Sequence, residues 1–324
     1  MPIFSIRRSG LLLLAVFAIS FFGGCSSEPP LVVPRQETWG IYLLDLSSKR
    51  VELIYSDSKQ ISGLDLDTTG NRLAFSLREG AAVLDTSSEI YSIAADGTGL
   101  RRLTDNDYFD AYPSFSPDGS KIVFLSKRNG TLDLYIMDAG GSTQRRLYDS
   151  GEHDGDVNWG RNGYIVFTRT HQIWLLDPDG TNPRQVTNPP GAGQWGSANL
   201  PIGDYDPRLH PDGSRIVFER LEDPNKPHGG YNLFVVNIDG TGENRLTDNG
   251  YTQGMPSWSH SGGSIVYVVS AIEGIGQFEM YMINADGTNN HNITPDYFPD
   301  TFLVHQALFS SDDLKIFFVA EWWR

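Results

Sequence analysis

The chain has 324 residues, and its 25 lysines and arginines are outnumbered by 40 aspartates and glutamates, which gives a formal net charge of −15. Such an acidic surface repels nucleic acid and anionic lipid headgroups, so we expect no nucleic-acid partner and favour cationic partners or divalent metals. The single cysteine excludes internal disulfides, and the length suffices to bury the core of one closed domain.

Residues 1–24 have the composition of an export signal rather than of a folded element. The positive pair Arg7-Arg8 precedes an apolar stretch at 11–22, which is too short for a comfortable transmembrane helix. The stretch ends in Gly-Gly directly before Cys25 and resembles the bacterial lipobox, where small residues precede a cysteine that receives lipid. The resemblance implies lipidation of Cys25 and export by general secretion. A plain signal peptide followed by an unrelated cysteine is the alternative.

Residues 25–38 begin Cys-Ser-Ser-Glu-Pro-Pro and predict a short tether. We therefore expect an exported protein that is lipid-anchored to the cell envelope, at its periplasmic or outer-membrane face. Ser26, rather than Asp, follows the cysteine, which resembles the signals that direct lipoproteins to the outer membrane.

Beyond residue 38, one phrase of sequence returns along the chain. It reads F-S-P-D-G-S-K-I-V-F at 115–124, D-L-Y-I-M-D at 133–138 and R-R-L at 145–147. The other copies begin near residues 65, 158, 209, 258 and 308. A repeat of this length predicts an architecture in which each copy is one supersecondary unit.

Each copy predicts four short β-strands. The runs are rich in Val, Ile, Phe and Tyr and are separated by Asp-Gly or Pro-Asp-Gly turns. Runs such as Ile122-Val123-Phe124-Leu125 are apolar on both faces, so they have to be covered on both sides. Six four-stranded sheets stacked in a ring provide that cover. We therefore predict an all-β fold, a six-bladed β-propeller over residues 39–324.

The two ends of the repeat predict how the ring closes. Residues 40–46 and 51–55 have the pattern of a third and a fourth strand, whereas residues 308–320 have that of a first and a second. Together they would complete one blade and leave no open sheet edge. The predicted closure is therefore two-plus-two, by the N- and C-terminal strands.

The motifs S-P-D-G-S-K-I-V-F, D-L-Y-I-M-D and D-G-T-G-x-x-R-L-T together resemble the TolB-type propeller repeats, over nearly everything from Trp39 onward. The resemblance implies the fold, and it leaves the function open because related repeats occur in dipeptidyl-peptidase-like propellers and oligogalacturonate-lyase-like enzymes. TolB proteins carry an α/β domain ahead of the propeller, whereas only the tether precedes the first predicted strand here. We therefore expect a TolB-like protein without that domain.

The sequence offers little that is typical of catalysis. Neither a G-x-S-x-G nucleophile elbow nor an H-E-x-x-H zinc motif occurs. The Asp-Gly motifs, such as Asp177-Pro178-Asp179-Gly180, lack the glycine and glutamate spacing of an EF-hand and predict hairpin turns. His153, His210 and His305 lie near first strands and are the candidate metal ligands if the protein is a lyase.

Aligning the copies by their turns identifies one position near the start of each first strand that is polar in four of the six copies. That position holds Ile61, Asp110, Asp154, Asp204, Gln253 and Val304. Because first strands line the channel of a propeller, three consecutive blades would present carboxylates around one mouth, where they could attract a cationic segment or a divalent cation. In the alternative, each aspartate caps the backbone of its own loop.

Variable loops are predicted to emerge on that same side. The longest are residues 188–203 and 221–230, and such loops on a rigid scaffold are where binding usually occurs. The aromatic residues of the interblade loops are predicted partner contacts, with packing onto their own loops as the alternative. They are Tyr108, Phe109, Trp195, Tyr251, Tyr297 and Phe298.

The sequence thus favours a non-enzymatic, membrane-tethered module that binds a cell-envelope protein or a cationic peptide segment, without a cofactor and as a monomer. Two alternatives stay open. One is an enzyme that acts on acidic oligosaccharides, with a metal held by channel histidines. The other is a sensor of calcium or of a small ligand, with the divalent cation at the acidic mouth.

Overall fold

A computed structural model describes residues 37–78, 87–198, 200–225, 230–248, 250–272 and 275–323. These residues form β-strands, turns and loops, and none of them is helical. Accordingly, no helix in these ranges is long and apolar enough to cross a membrane. The export signal, Cys25 and most of the predicted tether lie outside the described residues.

The strands group into six antiparallel four-stranded sheets, so the predicted six-bladed propeller is confirmed. Blade 1 contains β3 (Ile61–Leu66), β4 (Arg72–Arg78), β5 (Ser88–Ala94) and β6 (Arg101–Arg102). Blade 2 contains β7 (Asp110–Phe115), β8 (Lys121–Ser126), β9 (Asp133–Asp138) and β10 (Arg145–Tyr148). Blade 3 contains β11 (Asp154–Trp159), β12 (Ile165–Arg169), β13 (Gln172–Leu176) and β14 (Arg184–Gln185).

The other three blades follow the same order. Blade 4 contains β15 (Gly203–Leu209), β16 (Arg215–Leu221), β17 (Tyr231–Asn237) and β18 (Asn244–Arg245). Blade 5 contains β19 (Thr252–Trp258), β20 (Ser264–Ile272), β21 (Ile275–Asn284) and β22 (His291–Asn292). The closing blade contains β23 (Phe302–Phe309), β24 (Lys315–Trp323), β1 (Glu37–Asp45) and β2 (Val51–Asp57).

The closing blade joins the two ends of the propeller. Its strand order is β2-β1-β24-β23, and β1 pairs with β24 from Glu37 opposite Trp323 to Asp45 opposite Lys315. The first and second strands thus come from the C-terminal end and the third and fourth from the N-terminal end. The predicted two-plus-two closure is therefore confirmed, and it satisfies main-chain groups that an open ring would leave at two sheet edges.

The hydrophobic core lies between neighbouring blades. One side chain of each second strand, the aromatic residue of the repeated I-V-F pattern, is fully buried there. These six residues are Phe75, Phe124, Phe167, Phe218, Tyr267 and Phe318. The recurrence of the pattern is thus the recurrence of one packing position.

The Asp-Gly-Thr motifs are turns, as predicted. The Oδ1 atom of Asp179 accepts hydrogen bonds from the backbone N–H of Thr181 at 3.0 Å and from its hydroxyl at 2.6 Å. Gly180 between them has a φ of 89°, which favours glycine. Asp239 and Thr241 repeat these contacts in blade 4.

Candidate functional site

The channel is surrounded by the first strands β3, β7, β11, β15, β19 and β23, which contact one another around the ring. All of them begin at one end of the propeller, where the interblade loops enter, and we call this end the loop face. They all finish at the opposite end, which carries the tight turns to the second strands and which we call the turn face. The two faces carry different chemistry.

The three aspartates predicted at the channel mouth are buried. Asp110, Asp154 and Asp204 are at most 1% exposed at the start of their strands. Each forms an ion pair within its own blade: Arg128 to Asp110 at 2.6 Å, Arg169 to Asp154 at 3.3 Å and Arg220 to Asp204 at 2.5 Å. The expected ring of free carboxylates is therefore wrong, because the arginines occupy the positions that a cation would need.

The alternative that each aspartate caps the backbone of its own loop is not confirmed, because Asp110 accepts its hydrogen bonds from side chains, those of Asn106, Ser126 and Arg128. Gln253, also buried, accepts a hydrogen bond from the hydroxyl of Thr247 at 2.8 Å. The same hydroxyl accepts a hydrogen bond from the backbone N–H of Leu233 at 2.9 Å. Arg245 in turn donates to the carbonyl of Thr247 at 2.8 Å. The repeated R-L-T motif thus ties the third strand of one blade to the first strand of the next.

Burial also raises the pKa of two of these acids, Asp154 and Asp204. It raises the pKa of the Asp154 carboxyl to about 7, against the opposing attraction of Arg169. Its Oδ2 atom has no hydrogen-bond partner among the described residues. Asp154 is thus held in a dry environment, where a carboxylate is costly.

The predicted aromatic contacts divide into two groups. Trp195 is 63% exposed, Tyr108 48% and Tyr251 39%, and all three lie in loops of the loop face. Phe109 and Phe298 are instead partly buried against the blade cores, with the rings of Phe298 and Phe302 4.5 Å apart. For these two residues the expectation of exposed partner contacts is wrong, because each ring packs against a blade core.

Tyr297 is exposed but lies elsewhere. Its hydroxyl donates to the carbonyl of Lys49 at 2.8 Å, and Lys49 belongs to the turn between β1 and β2. That turn is at the turn-face end of the closing blade. Tyr297 therefore lies on the outer flank of the propeller and not on the rim of the loop face.

The loop that carries Trp195 is braced on both sides. Two backbone hydrogen bonds of 2.8 Å close its base: the N–H of Gly193 donates to the carbonyl of Ile202, and the N–H of Ile202 donates to the carbonyl of Gln194. The N–H of Ala198 donates to the carbonyl of Pro224 in the loop that follows β16, at 2.6 Å. The tryptophan is thus presented on a fixed support.

A second group of acids lines the channel, and sequence reasoning missed it. The first strands are bulged, and Asp156 and Asp206 occupy the bulge with φ values of 50° and 48°. Glu219 of β16 lies close by. Burial and mutual repulsion raise the pKa of Asp206 well above its usual value, and burial raises that of Glu219 to about 8. The D-x-D patterns at 154–156 and 204–206 are the signal that could have found the two aspartates.

Residues 34–191 match the model of the family described as the TolB beta propeller domain. Over this region the chain is a TolB-like β-propeller protein. The TolB homolog of Chlorobium luteolum is 31% identical to it over 161 residues, which cover 48% of this chain and 33% of the relative. The aligned region thus spans only about a third of the length of the Chlorobium luteolum protein.

Solved structures share the fold of this TolB-like propeller. A protein from Agrobacterium tumefaciens that is provisionally assigned to TolB is 17% identical, with a TM-score of 0.68 over 90% of this chain and 99% of that one. An oligogalacturonate lyase of Vibrio parahaemolyticus is 13% identical, with a TM-score of 0.54 over 87% of this chain and 82% of that one. At these identities the likeness establishes the architecture alone.

The three histidines considered as lyase ligands do not converge in the TolB-like propeller. His153 accepts the N–H of Leu132 at 3.0 Å beside the loop face. His210 lies in the first turn of blade 4 at the turn face, 4.6 Å from the ring of Trp258. His305 stacks on Trp39 within the closing blade. Across the described ranges, no three His, Cys, Asp or Glu residues group as metal ligands.

Proposed function

We propose that this protein is an exported, non-enzymatic scaffold that binds another cell-envelope protein, or a cationic segment of one, through its loop face. The observation that carries the proposal is Trp195, a 63% exposed indole on a braced loop. Exposed, rigid aromatic side chains are the usual anchors of protein interfaces, because they bury a large area at a small cost in conformational entropy. Tyr108 and Tyr251 extend the aromatic character of this face.

The preference for a cationic partner rests on acids other than those predicted. In two blades an exposed aspartate of an interblade loop directly follows the R-L-T motif: the side chain of Asp105 is 85% exposed and that of Asp248 is 80% exposed. Each forms a surface ion pair with the arginine three residues before it. Such exposed pairs contribute little to folding, so these carboxylates are available to steer a positively charged partner.

The location in the cell envelope is supported by the sequence before the propeller. The positive pair Arg7-Arg8, the apolar stretch and the small residues before Cys25 are typical of exported lipoproteins. Metabolic labelling with a palmitate analogue tests the anchor. We expect label in the wild type and none in Cys25→Ala, and label in both proteins would contradict an anchor at Cys25.

The binding face is tested by crosslinking in living cells. We expect Trp195→Ala to reduce the yield of the crosslinked partner at least tenfold, because an interface anchor of this type typically contributes 2 kcal/mol or more. Tyr297→Ala is the matched control, since Tyr297 is equally exposed, at 63%, but lies on the outer flank. Equal losses in the two variants, or none in Trp195→Ala, would argue against the loop face.

A further inference from the structure

A cavity of about 140 Å³ lies at the turn-face end of the channel. All six blades contribute to its walls. Its apolar walls come from Trp159, Trp258, Phe115 and Phe309, all largely buried. With about 30 Å³ for each water molecule, this is room for roughly four or five waters. The space therefore suits a small ion or a very small organic molecule and not a sugar chain.

Arg208 of β15 faces this cavity without a direct partner. Its guanidinium makes no hydrogen bond and no ion pair with any described residue. Asp65, Asp156 and Asp206 attract it only at longer range. The other guanidinium groups inside the propeller, such as that of Arg220, are bound by carboxylates. A partly buried arginine normally donates hydrogen bonds to an acceptor. The guanidinium of Arg208 therefore has the donors to bind an acceptor from outside the chain.

A second arginine lines the same cavity. The guanidinium of Arg161, in a turn of blade 3, contacts both ring nitrogens of His260, in a turn of blade 5. Blade 4 lies between these blades, so the contact reaches across the mouth of the channel. A neutral imidazole has one acceptor nitrogen only. At most one of the two contacts is therefore a hydrogen bond, and Arg161 keeps donors for another acceptor.

The acids of the cavity are already occupied. Asp67 is paired with Arg72 at 2.9 Å. Asp65 accepts hydrogen bonds from the hydroxyl of Ser114 at 3.1 Å and from the backbone N–H of Phe115 at 2.8 Å. The groups that lack partners in this space are therefore the positive ones, although the chain as a whole carries a net charge of −15.

We propose that the turn-face cavity binds a small oxyanion, a carboxylate or phosphate group, through the guanidinium groups of Arg208 and Arg161. Planar guanidinium groups bind such oxyanions in a bidentate manner, and the interaction is strengthened where water is excluded. The indole rings of Trp159 and Trp258 would pack against the body of the ion. This site is at the opposite end of the channel from the proposed protein-binding face and does not depend on it.

Titration with inorganic phosphate and, separately, with acetate tests the site, each against sodium chloride of equal ionic strength. We expect a saturable rise in melting temperature, because an ion that binds only the folded state stabilises it by mass action. We also expect a saturable change in tryptophan fluorescence from the cavity walls. Binding of phosphate alone would identify a phosphate site, and binding of acetate as well a general oxyanion site.

Arg208→Met is the decisive variant, because it keeps an unbranched apolar stem and removes the charged guanidinium. We expect the affinity to fall at least tenfold, with an intermediate loss in Arg208→Lys. Arg145→Gln, at an exposed position of β10, is the matched control and should bind like the wild type. Should Arg208→Met fail to fold, Arg161→Met on the exposed turn provides the same comparison. A linear rise in melting temperature without saturation, or equal binding by the arginine-to-methionine variants, would overturn the proposal.

Discussion

The carboxylate of Asp204 is held by the guanidinium of Arg220 through two hydrogen bonds, Nε to Oδ1 at 2.5 Å and Nη2 to Oδ2 at 3.0 Å, with both residues buried. Arg220 also donates to Glu243 at 2.6 Å and 2.8 Å. The guanidinium thus bridges an acid of the first strand and an acid beside the fourth. An aspartate in such an arrangement stabilises the blade and is not available to a partner.

Removing the charge of Asp204 should therefore destabilise the protein. We expect Asp204→Asn to lower the free energy of unfolding by roughly 3 kcal/mol, because breaking a buried ion pair leaves its partner incompletely compensated. Urea denaturation measures the loss. Asp248→Asn, at a side chain that is 80% exposed, should lose less than about 1 kcal/mol. Similar small losses in both variants would mean that the buried pair is not structural.

The R-L-T contact between blades 4 and 5 makes a second prediction. Thr247→Val removes the hydroxyl that accepts from Leu233 and donates to Gln253. We expect a loss of about 1–3 kcal/mol, since buried polar groups lose their partners. Thr241→Val is the control, because the Thr241 hydroxyl bonds Asp239 in an exposed turn. Equal effects would show that the motif does not join the blades.

The fold could be predicted because each recurring residue performs the same task in every blade. Phe124 and its counterparts fill one packing position, and the Asp-Gly-Thr motifs form one kind of turn. The two ends of the repeat had strand patterns that together make up one blade. These are local signals, and the ring multiplies them, so six weak copies identify the architecture together.

The site was harder to predict because it depends on pairings across strands. Whether Asp110 is free is decided by Arg128, which lies beyond the end of the second strand. A basic residue near that end of the same copy, as also at Arg169 and Arg220, was the available signal. The channel acids were missed for another reason. The bulge interrupts the alternation of side chains along β11 and β15, so a period of two misplaces Asp156 and Asp206.

The bulge predicts a distinctive response at Met255, which has a φ of 53° in β19. Gly63 occupies the equivalent bulge of blade 1 with a φ of 62°. We expect Met255→Gly to change stability little, since relief of strain offsets the greater freedom of the unfolded chain. Met255→Val should cost about 1–3 kcal/mol, because a branched side chain is strained there. Met282→Val in the regular strand β21 is the control, and equal costs for the two valine variants would contradict a strained bulge.

The channel acids predict how stability depends on pH. Burial raises the pKa of Glu219 from 4.5 to about 8, so the folded state holds this proton over a range in which the unfolded chain releases it. The stabilisation is complete below about pH 4.5 and is lost progressively as the pH rises towards 8, by at most about 1.4 kcal/mol per pH unit for one proton. Glu219→Gln keeps an oxygen for the N–H of Met255, now 2.9 Å away, and removes the titration. Between pH 5 and 8, the free energy of unfolding of the wild type should therefore fall more steeply than that of the variant. Urea denaturation at pH 5, 6.5, 8 and 9 measures both slopes, and parallel curves would mean that Glu219 is ionised in the folded protein at neutral pH.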